Sequence, residues 1–91
     1  MLIKSIVIQP EISVKIFEKH NVLQDEIYDV LKHNKPTFKK VSGNQYVAVG
    51  LSRSRHITIY FNYDKNMNEA EITTAYPSDK RQIRAYKRMN R

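Results

Sequence analysis

Pro36 and Pro77 bracket the most constraining stretch of this 91-residue chain. Between them apolar and polar residues alternate in short runs separated by turn signals, and a period of two is the mark of strands that bury one face. Thr37 to Val41 is the first run. A Ser42-Gly43-Asn44 turn leads to the second, Tyr46 to Leu51, where Val47, Val49 and Leu51 alternate with Tyr46, Ala48 and Gly50. The third, His56 to Tyr63, sets Ile57, Ile59 and Phe61 against His56, Thr58, Tyr60 and Asn62. After the loop Asp64 to Asn68, the run Glu69 to Tyr76 places Ala70, Ile72 and Thr74 together before Pro77 breaks it.

The flanking segments supply helices. Leu2 to Ile8, rich in Ile and Val, reads as one more strand, closed by Pro10. From Glu11 to Lys19, Ile12 and Ile16 fall one turn apart, which predicts a helix stopping at Asn21. A second helix from Gln24 to His33 is predicted by the face Ile27, Val30 and Leu31, with Asp25 and Glu26 at the positive end of its dipole. Ser78 offers a cap for a last helix, Asp79 to Met89. The order β-α-α-β-β-β-β-α predicts an α+β fold: a mainly antiparallel sheet of four to five strands, two N-terminal helices and a basic C-terminal helix. The length favours a single domain over residues 1–91, with six Tyr and three Phe to fill its core.

Sixteen Lys and Arg stand against nine Asp and Glu, a net charge of +7 that attracts polyanions. From Lys80 onward the chain carries Lys80, Arg81, Arg84, Lys87, Arg88 and Arg91 and no acid. Arg81, Arg84, Arg88 and Arg91 recur at helical spacing, a cationic stripe beside Ile83 and Tyr86. Without cysteine there is neither a disulfide framework nor a thiolate nucleophile, and no metal-ligand cluster, glycine-rich phosphate loop or serine elbow is visible, so no cofactor is expected. The opening run is too short and, through Lys4, too charged for a signal core or membrane span, which points to the cytoplasm and away from a membrane partner.

The sheet face turned away from the N-terminal helices is expected to present Tyr46, His56, Thr58 and Tyr60 around the small residues Ala48 and Gly50. Such a floor could admit a base or ribose against tyrosine rings, or could simply be solvated. His56 is the candidate acid or base, because imidazole titrates near neutrality. His20 and His33 sit near helix ends, where a structural role is the plainer reading. Glu69 and Glu71 read as an exposed strand edge.

Two segments carry a resemblance. Glu18-Lys19-His20-Asn21-Val22 followed by Gln24-Asp25-Glu26-Ile27, and Ile72-Thr73-Thr74-Ala75 followed by Lys80-Arg81-Gln82-Ile83-Arg84-Ala85-Tyr86, resemble the BrnT family of the RelE/ParE toxin superfamily. That family has a Lys-His-Gly-Val stretch before its second helix, and a last strand ending in Ser-Ala that runs into a basic helix reading Arg-Arg-Glu-Arg-Arg-Ala-Tyr. Where the family carries an arginine after the strand-end alanine, this chain has Tyr76-Pro77, and Leu23 replaces a capping serine. The resemblance implies a RelE/ParE-like fold and the toxin of a type II toxin–antitoxin pair, a metal-independent endoribonuclease that directs the 2′-hydroxyl of RNA at its adjacent phosphate. It implies His56, Tyr76, Arg81 and Arg84 as catalytic residues and Tyr46, Arg53, Arg55, Tyr60, Lys80, Lys87 and Arg88 as RNA-binding. The implied partners are mRNA, on or off the ribosome, and a cognate antitoxin, with operator DNA reached only through the antitoxin complex. A non-catalytic RNA- or DNA-binding module and a protein-docking inhibitor remain as alternatives.

Overall fold

The computed structural model describes residues 1–90; Arg91, the last of the expected cationic stripe, lies outside them. Strand β1 (Ser5–Val7) is followed by helices α1 (Pro10–His20) and α2 (Gln24–Tyr28). Four consecutive strands come next, β2 (Thr37–Ser42), β3 (Gln45–Ser52), β4 (Arg55–Asp64) and β5 (Glu69–Pro77), and helix α3 (Lys80–Met89) completes the expected order. The sheet runs β1-β5-β4-β3-β2, antiparallel except where β1 joins β5 in parallel. Among the described residues no helix is long and apolar enough to cross a membrane.

Local sequence explains the helix ends. Pro10 opens α1, where its missing N–H costs nothing. Asn21 closes it at φ 56°, donating its N–H to the Phe17 carbonyl at 2.9 Å. The helix expected over Gln24 to His33 changes character midway: from Asp29 to His33 it widens into a π-helical turn, with the Asn34 N–H reaching the Asp29 carbonyl at 3.0 Å. Val30 and Leu31 of this turn are both buried. Val30 meets the sheet at Gly50, where a Cβ would stand 3.0 Å from Val30 Cγ1 and 3.2 Å from Pro36 Cβ, so only glycine admits this approach without a shift.

The core lies between α1, α2 and one face of the sheet. Ile57, Ile59 and Phe61 of the central strand are fully buried there with Ala48, Ala70 and Ala75, facing Ile16, Ile27 and Val30. Each large side chain so buried contributes about 1.5–3 kcal/mol. The ladder shifts between Tyr60 and Phe61, which lie opposite Thr74 and Ile72, so Thr73 is an extra residue. Beyond this bulge Ala75 faces the core in place of the expected Thr74.

The register of β3 corrects the expected composition of the second face. Tyr46, Ala48 and Gly50 lie directly opposite Phe61, Ile59 and Ile57, whereas Val47, Val49 and Leu51 lie opposite Tyr60, Thr58 and His56. Residues opposite one another in an antiparallel pair share a face. Tyr46, Ala48 and Gly50 therefore belong to the core side, and the Tyr46 ring stacks on Phe61 at 6.1 Å. The small residues sit where the π-helical turn approaches, and the valines face α3.

Candidate functional site

Helix α3 is laid on the polar face by its first turn. Pro77 ends β5, and the Asp79 carboxylate accepts the Gln82 N–H at 2.8 Å while Gln82 Oε1 accepts the Asp79 N–H at 2.9 Å. The same Gln82 side chain reaches the sheet. Its Oε1 accepts from Thr58 Oγ1 at 3.0 Å, and its Nε2 donates to the Tyr76 hydroxyl at 3.1 Å. The Ser78 and Thr58 hydroxyls are 2.6 Å apart, and Thr58 is fully buried. No residue of α3 itself is fully buried. A polar plug, flanked by half-buried Ile83 and Tyr86, holds this helix in place of an apolar core.

The plug separates two groups of side chains. On one side the His56 ring meets Tyr86 edge-on at 5.3 Å, and burial together with the nearby Lys87 charge holds its pKa below the usual imidazole value. On the other, Tyr60 stacks on Tyr76 at 6.2 Å and His20, the last residue of α1, lies 5.8 Å from Tyr76. The Tyr76 hydroxyl, and then burial, push the Tyr60 phenol above its ordinary pKa, so it stays protonated at neutral pH. A groove of about 220 Å³ runs between α3 and strands β2 and β3, lined by Lys39, Val47, Val49, Tyr60, Arg81 and Tyr86 among others.

The cations on this side make no ion pair among the described residues. The single ion pair among the described residues joins Arg55 to Glu26, so Lys80, Arg81, Arg84, Lys87 and Arg88, all exposed, have no carboxylate partner. Nor does any group of three or more His, Asp or Glu converge on one point among those residues.

The residues singled out in the sequence are thus divided. His56, Tyr60, Tyr76 and the cations of α3 gather on one face. Tyr46 is on the opposite one, and so is Arg55, whose Nε and Nη2 donate to the two Glu26 carboxylate oxygens at 2.8 and 2.7 Å and whose Nη2 also reaches the Asn21 carbonyl at 2.6 Å. These bonds, set against burial, hold Glu26 below the ordinary carboxylate range. Arg53 occupies the β3–β4 turn at φ 59° and is exposed. Sequence reasoning missed Gln82, Lys39 and the approach of His20. Only Gln82 had a signal, the capping-box spacing Asp79-x-x-Gln82. Lys39 is placed by its register opposite Val47, and His20 by the way α1 crosses β5.

A five-stranded mixed sheet with two helices on one face and a short basic helix on the other is a fold this chain shares with a solved ribonuclease toxin. One solved structure it matches is the crystal structure of the Brucella abortus ribonuclease toxin BrnT, with a TM-score of 0.68, covering 84% of this chain and 97% of that one. Only 10% of the aligned residues are identical, so what the two share is the fold. No family model matches the sequence, and no curated protein does.

Proposed function

We propose that this chain is the toxin of a type II toxin–antitoxin pair, a metal-independent endoribonuclease that cuts RNA by 2′-hydroxyl attack. The observation that carries the reading is His56, a half-buried imidazole set edge-on against Tyr86 beside a helix whose cations have no carboxylate partner among the described residues, in a fold shared with a ribonuclease toxin. Neutral imidazole accepts the 2′-hydroxyl proton as that oxygen attacks the phosphorus. The bond to the 5′-oxygen then breaks and that oxygen takes up a proton from water, while Lys87, whose charge is felt at His56, binds the RNA backbone beside it. Arg81 and Arg84 clamp phosphate oxygens, for which a planar guanidinium is suited. Tyr76 orients α3 through its bond to Gln82. The same basic helix is where an acidic antitoxin segment would neutralise the molecule.

Cleavage of total RNA by the purified chain, in EDTA, tests the proposal. His56→Gln should lower the rate by about 10²–10⁴-fold with little change in binding. Because burial, and then the Lys87 charge, lower the His56 pKa from the ordinary imidazole value, the base form predominates at neutral pH and the rate should fall as the pH is lowered into the acid range. Intact RNA and unimpaired growth on expression would remove the enzyme and leave a binding module.

A further inference from the structure

The groove between α3 and the sheet has no part in the proton transfers proposed above, and its chemistry is specific. Its floor is Val47 and Val49, the residues that register places beneath α3 and not in the core. Two rings, Tyr60 and Tyr86, belong to its walls, and both are held: Tyr60 by stacking on Tyr76, Tyr86 by its contact with His56. Lys39 and Arg81 line the same groove, from β2 and α3 respectively, and both are exposed and without a carboxylate partner among the described residues. A segment of an acidic protein could bring an apolar side chain for the floor and a carboxylate for a cation, but not a flat ring with an anion fixed on either side of it. An unpaired nucleobase uses floor, rings and cations together, because it offers a flat apolar body on a chain of phosphates. The volume, about 220 Å³, is that of one planar ring system with room to spare.

We propose that the groove between α3 and strands β2 and β3 is a slot for one unpaired nucleobase of a single-stranded RNA, with Lys39 and Arg81 holding the phosphates on either side of it. This rests on the RNA reading above and adds a base-dependent contact on the far side of Tyr86 from His56, one that takes no part in the proton transfer.

Binding of labelled 2′-O-methyl RNA oligonucleotides, which cannot undergo 2′-hydroxyl attack, tests the slot separately from cleavage. A base-bearing strand is compared with an abasic strand of the same backbone, for the wild type and for Ala85→Leu. Ala85 is exposed, lines the slot and lies in a helix that accepts leucine, so this variant fills the space without disturbing the core. The wild type should prefer the base-bearing strand by about ten-fold, the scale of one base stacked on an aromatic ring. Ala85→Leu should lose that preference and keep its affinity for the abasic strand. A preference that survives in Ala85→Leu overturns the slot. Equal affinity of the wild type for both strands also overturns it, leaving a protein side chain as the occupant while the nuclease reading stands. If neither strand binds, both proposals fall.

Discussion

Glu26 is taken into the fold as an anion, with Arg55 bonded to both of its oxygens. The Glu26 side chain is 5% exposed and that of Arg55 35%, so the pair is worth less than a fully buried one but more than a surface one. Glu26→Gln should therefore destabilise the fold by about 1–3 kcal/mol at neutral pH. Since the folded-state pKa of Glu26 is lowered, its contribution is present above the unfolded value of 4.5 and lost as pH falls through the folded one. Urea midpoints of the two proteins should accordingly converge below about pH 4.5; a constant gap would mean that the pair does not set the acid stability. Neither this pairing nor the true position of Tyr46 was legible in the sequence. Alternation sorts the residues of one strand into two faces but does not match those faces to the next strand. The match is set by a two-residue turn at Arg53-Ser54, and neither residue is a usual former of the left-handed conformation that Arg53 adopts.

All eight elements were legible because long periodic runs ended at prolines or at a cap, and only their edges moved. The π-helical turn was not, because burying the sequence neighbours Val30 and Leu31 together is a demand of the sheet they meet. Helix α3 is the element whose attachment is most polar. Gln82→Ala removes half of its capping box and its bonds to Thr58 and Tyr76 at one stroke. The expected loss is about 1–2 kcal/mol, felt mainly by α3. Amide exchange should speed up from Lys80 to Met89 while β3 and β4 keep their protection. Acceleration spread evenly over the sheet would show that α3 is part of the cooperative core.

The whole molecule carries its +7 unevenly, with the unpartnered cations of α3 on one side and the Arg55–Glu26 pair on the other. RNA affinity should fall steeply with salt, and Arg81→Ala and Arg84→Ala should each reduce the slope of log affinity against log salt by about one; slopes equal to that of the wild type would assign the stripe to solvent. The topology also dictates an order of assembly. Strand β1 pairs with β5 alone, Ser5 opposite Glu69 and Val7 opposite Glu71. A nascent chain leaving the ribosome releases β1 well before its one neighbour in the sheet, so this sheet edge closes only after β5 has emerged. Until then Ser5 to Val7 have no ladder to join, and any truncation before Glu69 yields a chain whose first strand lacks its partner.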